Sequence, residues 1–260
     1  MPVKAPARAK EPKPYRDKTV VEFLGRKVQV LDLSHIISPT MPIYPGHAKV
    51  AFWTHLTHAE SRLRLGPGRK WCGYGVTGIT MCDHVSTHVD AIYHFNEKRR
   101  DLSIEKLGLE VMVTPAYWID LSGHKPRTEI PLSSVKAALK QAGIRRIRPG
   151  SSLLYWTGAE KLWNDPMKFN TQYPGLDSEA SHWILDQGVV NVMTDAASLD
   201  NPANLDYPNH YAHSERLVNH TEIVKNIRKI PRHQGFYTVM CPLKFEGATG
   251  SPVRILAMWT

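Results

Sequence analysis

Four side chains that can ligate a metal lie within eleven residues of one another: His84, His88, Asp90 and His94. Their positions are i, i+4, i+6 and i+10, so all share one parity and an extended chain would direct them to one face. On a straight helix the same residues would fall on two separate stripes. The spacing therefore favours an extended segment that carries a chemical site.

Two neutral imidazoles and a carboxylate suit Zn²⁺, Mn²⁺ or Fe²⁺, and they leave coordination positions for water and substrate. His84, His88 and Asp90 are the expected ligands. A bound divalent ion can lower the pKa of a water to about 7 and so supply hydroxide at neutral pH. His94 would then be free to move protons.

A single ion can be reached by these ligands only if the chain bends. A straight strand would separate His84 from His88 by about 13 Å, at roughly 3.3 Å per residue. Ligands of one ion, in contrast, lie about 2.0 to 2.2 Å from it. We expect the bend at Ser86 and Thr87, where the side chains are small.

The segment resembles the signature H-x-G-T-H-x-D-x-P-x-H-F of the cyclase family of metal-dependent hydrolases, which includes bacterial kynurenine formamidase and isatin hydrolase. It departs from the signature at Ser86, where the family has Gly, and at Ile92, where the family has Pro. The resemblance extends over nearly the whole chain after residue 18, through the landmarks LDLSH at 31–35, YPG at 44–46, WTG at 156–158 and GSPVR at 250–254. The matching signature positions are His84, Thr87, His88, Asp90, His94 and Phe95.

This resemblance implies an α/β chain with a swivelling β/β/α fold in a single domain. It also implies a homo-oligomer, a dimer or tetramer, and hydrolysis of an amide, formamide or lactam C–N bond in a small, aromatic substrate. By the same resemblance, His84, His88 and Asp90 hold a divalent metal, Zn²⁺ or Mn²⁺, and His94 is the catalytic acid and base.

A second metal ion is where the sequence departs from the family. The family supplies a distal His and, twelve residues later, a Glu; here His213 fits the first position and Lys225 aligns with the second. A charged ammonium cannot ligate a metal. We therefore expect one ion per chain, with His213 as a further ligand. In the other possible register, Glu222 lies twelve residues after His210 and serves instead.

Four aromatic residues lie in segments that flank the motif in the family. They are expected to form the wall of the substrate pocket, and they are Tyr44, Trp53, Trp71 and Tyr74. The histidines at positions 35, 47, 55 and 58 are expected to be structural.

Several other functions remain open or are disfavoured by the residues. A lactone hydrolase, or a catalytically impaired binding protein, could use the same fold. His88, Asp90 and His213 also imitate the ligand triad of non-haem iron oxygenases, although that triad does not cluster four candidate ligands so closely. The GxGxxG pattern at 73–78 lacks the preceding strand and following helix of a dinucleotide site.

Composition places the chain among globular proteins. It has 260 residues, 42% of them hydrophobic, and a formal net charge of +9. The three cysteines form no CxxC pair, which argues against a disulfide framework or a zinc ribbon. No apolar run approaches the ~18 residues of a membrane helix. We expect a cytoplasmic enzyme of small molecules that binds neither membranes nor nucleic acid.

Residues 1–18 are rich in Lys, Arg and Pro and are expected to form a flexible basic arm before a single domain at 19–260. The segment 195–216 is expected to be a functional loop. Apolar periodicity predicts helices at 131–142 and 177–186. It also predicts strands at 27–33, 110–121, 152–156, 189–194, 235–243 and 253–259.

Overall fold

The computed structural model describes residues 14–64, 66, 70 and 72–260. Within these residues the strands are β1 Lys18–Phe23, β2 Arg26–Asp32, β3 Ala51–Leu56, β4 Val76–Thr80, β5 His88–Asp90, β6 Val113–Asp120, β7 Glu129–Ile130, β8 Ser152–Trp156, β9 Gly175–Leu176, β10 Asn191–Thr194, β11 Asn219–Glu222, β12 Phe236–Met240, β13 Gly250–Pro252 and β14 Ile255–Trp259. The α-helices are α1 His58–Arg64, α2 Ile92–Phe95, α3 Leu109–Met112, α4 Leu132–Gln141, α5 Pro166–Thr171, α6 Ser178–Asp186 and α7 Pro208–Arg216. Short 3-10 turns occupy Arg100–Leu102, Ile104–Lys106, Ala159–Leu162 and Ile227–Lys229.

A mixed ten-stranded sheet organises the α/β fold, in the order β1-β2-β14-β12-β6-β8-β10-β11-β5-β13. The pairs β6–β8, β8–β10 and β10–β11 are parallel, and the other neighbours are antiparallel. Two short sheets, β3–β4 and β7–β9, complete the strands. The α/β class expected from the sequence is confirmed.

Each face of the central strands contributes to a separate hydrophobic core. Along β8, Leu153 and Tyr155 join the core that also contains α4 and α6, whereas Leu154 and Trp156 join the core formed with β14. This alternation follows from the two-residue period of a strand. Because both faces of β8 are buried, apolar residues follow one another along most of it, and β8 coincides with the predicted strand at 152–156.

Most other predicted elements are present with shifted ends. The strand predicted at 110–121 is divided, because 109–112 form α3 and β6 begins at Val113. Pro115 is accommodated in β6 because β8 pairs only from Ala116 onward, so at the proline the strand has a neighbour on one side alone. The prediction of a loop at 195–216 is partly wrong, since α7 occupies the last nine residues of this segment.

The three cysteines are free, and Cys72 and Cys241 are exposed. No helix among the described residues is long and apolar enough to cross a membrane. Residues 14–18 of the expected arm are described, and the Tyr15 hydroxyl donates a hydrogen bond to Asp32 Oδ2 at 2.7 Å. The remainder of the arm lies outside the described residues.

Asp195, at the carboxyl end of β10, fastens the loop that follows β8. Its fully buried carboxylate accepts hydrogen bonds from the Thr157 amide and hydroxyl and from the amides of Gly158 and Glu160, at 2.7 to 3.1 Å. We expect Asp195→Ala to lower the free energy of unfolding by about 2 to 4 kcal/mol, because buried donors lose their acceptor. Urea denaturation measures this loss. Asp120→Ala, at an exposed carboxylate, is the control and should cost less than about 1 kcal/mol; equal losses would contradict the assignment.

Candidate metal centre

Two adjacent antiparallel strands bring four ligand-type side chains together. In the register of β5 with β11, His220 lies opposite Asp90 and Glu222 lies opposite His88. Residues directly opposite each other project to the same face of a sheet, with Cβ atoms about 4.5 to 5.5 Å apart. All four residues are buried. The pairing of β5 with β11 therefore builds the centre of the site.

His84 reaches this face through a bend. Ser86 has a φ of 55°, a left-handed conformation that non-glycine residues adopt rarely, so the bend expected there is present. On β13, Gly250 lies opposite Asp90, and a Cβ atom at this glycine would come within 2.7 Å of His84 Cε1. The glycine therefore leaves the space that the His84 ring occupies.

The first group of donors consists of His84, His88 and Asp90, each offering an atom within 4.8 Å of the others. His84 Nδ1 lies 2.8 Å and His88 Nε2 lies 3.2 Å from Asp90 Oδ1. The other nitrogen of His88, Nδ1, lies 2.8 Å from the Ser86 carbonyl, which fixes the ring and leaves Nε2 for the site. The structure thus brings together the three ligands expected from the sequence.

A second group shares Asp90 and adds His210, His220 and Glu222. His220 Nε2 lies 2.9 Å from Asp90 Oδ2, so the two groups approach different oxygens of one carboxylate. His210 comes from α7, where Asp200 Oδ2 lies 2.5 Å from its Nδ1. A carboxylate behind a ligating imidazole is a common support of metal sites.

Two residues expected near a second ion lie elsewhere. His213, three residues after His210 on α7, is buried and belongs to neither donor group; its Nδ1 lies 2.7 Å from the Val218 carbonyl oxygen. Lys225 is also outside both groups, and its Nζ donates a hydrogen bond to Asp17 Oδ1 at 3.2 Å. The structure brings His210 and Glu222 together instead, which is the other register considered from the sequence.

Several buried polar atoms of the site have no hydrogen-bond partner among the described residues. They are Asp90 Oδ1, Glu222 Oε1 and both ring nitrogens of His220. Leaving such groups unpaired is costly, and a cation held by their lone pairs would satisfy them. The donor set of imidazoles and carboxylates therefore fits a divalent ion such as Zn²⁺.

The electrostatics of the site are dominated by burial and by the carboxylates. Burial raises the pKa of Glu222, and the adjacent Asp90 charge raises it further. Burial opposes ionisation of Asp90 too, but the surrounding imidazoles, His84 first among them, hold its pKa well below the ordinary value. For His88, burial disfavours the cation, yet the Asp90 and Glu222 charges raise the pKa to about 9. The Asp90 and Glu222 carboxylates thus favour positive charge in the pocket.

His94 lies beside both groups and belongs to neither. It is on α2, four residues after Asp90, with its Nε2 3.8 Å from Asp90 Oδ2. Its ring centroid is 4.1 Å from that of His84 and 5.6 Å from that of His210. Partial desolvation and the neighbouring imidazoles of His84 and His210 lower the pKa of His94, against the opposing charge of Asp90, and so keep the ring in its neutral, proton-accepting form.

Comparison with known proteins identifies the family of the chain. The Cyclase family model, described as "Putative cyclase", matches residues 31–201. The chain belongs to the Cyclase family. It is 25% identical to Cyclase-like protein 1 of Arabidopsis thaliana, over 95% of this chain and 90% of that one. It is 27% identical to a kynurenine formamidase of Geobacillus thermodenitrificans, over 86% and 94%.

Among solved structures, isatin hydrolase A from Ralstonia solanacearum superimposes on this Cyclase chain with a TM-score of 0.77. The sequence identity is 22%, and the match covers 90% of this chain and 92% of that one. A likeness at this identity establishes a shared fold.

A cavity of about 230 Å³ opens over the two donor groups of this Cyclase-family chain. Both donor groups contribute to its lining, and Tyr44, His47 and Tyr207 are further lining residues. Tyr44 was expected there, whereas Tyr207 and His47 were not, and His47 had been expected to be structural. The hydroxyls of Tyr44 and Tyr207 lie 3.4 Å apart.

The other aromatic residues expected at the pocket are not part of this lining. Trp53 is half-exposed on β3, where its indole covers Gly78 of β4. Tyr74 is exposed shortly before β4, and its amide donates to Ser61 Oγ. Trp71 lies outside the described residues. Trp53 and Tyr74 lie away from the cavity because β3 and β4 form a sheet separate from the ten-stranded sheet that carries the donor groups.

The positions of Lys225 and Glu222 lead us to expect different amounts of bound metal in two variants. Glu222→Gln should lose one ion, because the amide cannot supply an anionic ligand. Lys225→Glu should leave bound metal unchanged and cost a little stability, since a carboxylate would then face Asp17. Elemental analysis after dialysis against excess metal measures both. Additional metal in the Lys225 variant would restore the register in which position 225 faces the site.

Proposed function

We propose that this protein is a metal-dependent hydrolase that cleaves the C–N bond of an amide, formamide or lactam in a small, aromatic substrate. The observation that carries the proposal is the pair of buried donor groups sharing Asp90 under an open cavity. The relatives named kynurenine formamidase and isatin hydrolase support hydrolytic chemistry of this kind.

His84, His88 and Asp90 would hold a divalent ion, Zn²⁺ or Mn²⁺, and Asp90, His210 and Glu222 would hold a second. This revises the expectation of one ion, because that expectation required Lys225 in place of an acidic ligand. When bound, such ions supply a water nucleophile at neutral pH and polarise the substrate carbonyl. Asp90 would contribute to both positions, since its Oδ1 lies near His84 and its Oδ2 lies near His220.

His94 would carry the proton. Its Nε2 lies 3.8 Å from Asp90 Oδ2 and the residue lines the cavity, so His94 could accept a proton from the attacking water and return it to the leaving nitrogen. His94 is a member of neither donor group and is therefore not required as a ligand.

The cavity limits the substrate. About 230 Å³ is below the usual 300 to 1,000 Å³ of a drug-sized pocket, which favours a compact substrate of one or two rings. Tyr44 and Tyr207 offer aromatic surface and hydroxyl groups to it. The contribution of Trp53, Trp71 and Tyr74 to substrate binding stays a proposal.

The test is hydrolysis by metal-loaded protein of three matched substrates: an N-formyl arylamine, an aryl lactam and an aryl lactone. We expect turnover of a C–N substrate that disappears after removal of metal by a chelator and returns on addition of Zn²⁺ or Mn²⁺. Turnover of the lactone alone would replace the amide assignment with a lactonase. Metal binding without turnover of any of the three would favour a binding protein.

We also propose a cytoplasmic homo-oligomer, a dimer or tetramer, with the swivelling β/β/α arrangement. The two-stranded sheet β3–β4 supports assembly, because it leaves Phe52, Trp53 and Ile79 exposed. Two strands alone are marginally stable in water, so a covering surface would stabilise this sheet. Light scattering at micromolar concentration measures the mass in solution, and a monomer would contradict the proposal.

A further inference from the structure

The two donor groups differ in the number of protein ligands that they offer. The first has His84, His88 and Asp90, whereas the second has Asp90, His210, His220 and Glu222. His220 is the unexpected member of the second group. Neither the spacing of the histidines nor the expected ligand set assigned it a role.

The distances around His220 are within a few tenths of an ångström of those between ligands of one ion. Metal–ligand bonds of about 2.0 to 2.2 Å in a tetrahedral arrangement place neighbouring donor atoms about 3.3 to 3.6 Å apart. His220 Nε2 lies 2.9 Å from Asp90 Oδ2 and 3.6 Å from Glu222 Oε1. Shifts of a few tenths of an ångström would let these three atoms bind the same ion.

Within the described part of the chain, the only close polar contacts of the His220 ring are with the carboxylates of its own donor group. Its side chain is fully buried, and neither Nδ1 nor Nε2 makes a contact with hydrogen-bond geometry. Rings surround it: Phe95 stacks on it at a centroid distance of 5.2 Å, and His213 lies edge-on at 4.8 Å. A buried, unbonded imidazole costs free energy, and a bound cation at Nε2 would offset that cost.

The surroundings of the two groups also differ. All three donors of the first group line the cavity. Asp90, His210 and Glu222 of the second group line it as well, but His220 does not and lies behind them. A metal site with four protein ligands is typical of structural ions, and one with three protein ligands is typical of catalytic ions.

We propose that His220 is the fourth protein ligand of the second position, so that this position holds a tightly bound ion with a structural role. The first position then keeps the open coordination that binds substrate. This inference rests on the proposed metal-dependent function, and it assigns different tasks to the two ions.

The first experiment titrates metal-free protein with Zn²⁺ in competition with a chromophoric chelator. The wild type should bind one ion much more tightly than the other. His220→Phe, which keeps a buried ring, should weaken the tight ion by more than the 10- to 100-fold typical of losing a residue that merely supports a ligand. The weaker ion should keep its affinity to within a few-fold.

The matched control is His213→Phe. His213 is a buried histidine of the same neighbourhood whose Nε2 is also unpaired, but it lies outside both groups. It should retain both affinities. An equal loss in the two variants would show that disturbed packing, and not a missing ligand, weakens the ion.

A second measurement does not depend on the folding of a His220 variant. In His84→Ala only the second group is complete, so Co²⁺ added to this variant reports that position alone. Four-coordinate Co²⁺ absorbs visible light far more strongly than five- or six-coordinate Co²⁺, and we expect the strong spectrum. A weak, high-coordinate spectrum would overturn the proposal.

The outcomes separate this inference from the proposed function. Two ions with unchanged affinities in His220→Phe would refute the role of His220 and leave a two-ion hydrolase standing. Failure to bind Zn²⁺ or Co²⁺ at all would refute both.

Discussion

Asp90→Asn is expected to remove both metal ions and with them the turnover of any substrate. Asp90 is the single residue common to the two donor groups, and its two oxygens face different imidazoles, His84 and His220. Asparagine preserves the shape of the side chain and removes its negative charge. The loss of rate should exceed the roughly 10²- to 10⁴-fold that a general acid or base contributes, because the ions themselves are lost.

Elemental analysis of the dialysed variant measures this effect together with the rate. The matched control is Asp195→Asn, the same change at a second fully buried carboxylate outside both groups. We expect that control to unfold more easily and to retain its metal. If Asp90→Asn kept one ion at full affinity, the shared carboxylate would not bridge the positions, and the groups would be independent sites.

The first donor group could be predicted from sequence because its members are close along the chain. His88 and Asp90 alternate on one short strand, and His84 is separated from them by a bend at Ser86 that small side chains permit. Local geometry therefore determines the group. The precise approach of His84 could not be predicted, since it depends on the space left by Gly250, which lies 166 residues further along the chain.

The second donor group could not be fixed from sequence because it depends on strand register. Glu222 ends β11, and Ile223 has a φ of 59°, so the alternation of the strand stops there. Lys225 is thereby turned away toward Asp17. A resemblance between sequences cannot show where a strand stops. The sequence did contain one signal: His220 and Glu222 are two residues apart, and this spacing places both on one face of a strand.

Helix α7 shows a further limit of sequence reasoning. The polar segment at 195–216 has the composition of a loop, yet Pro208 begins a helix that carries His210 into the site. Proline is favoured in the first turn of a helix, and this could have indicated the start. The contact of His210 with Asp200 then fixes the ring, a tertiary interaction that composition does not reveal.

His94→Ala is expected to keep both ions and to lose about 10²- to 10⁴-fold in turnover. The residue lies 3.8 Å from Asp90 and outside both donor groups, so its removal takes away a proton carrier and leaves the ligands in place. General acid–base catalysis of this size corresponds to roughly 3 to 5 kcal/mol of activation free energy. The rate per bound ion, measured on the C–N substrate found above, gives the effect directly.

Chemical rescue distinguishes this role from a structural one. The His94 side chain is 32% exposed, so truncation to Ala opens space that solvent can reach, and added imidazole should restore part of the rate. His182→Ala, at a histidine that pairs with Glu215 on the surface, is the control and should neither lose rate nor respond to imidazole. A fully active His94→Ala would transfer the proton to another group. Loss of metal together with activity would place His94 among the ligands. The proton carrier would then be another residue of the cavity lining, and His47 is a candidate because it is also a histidine.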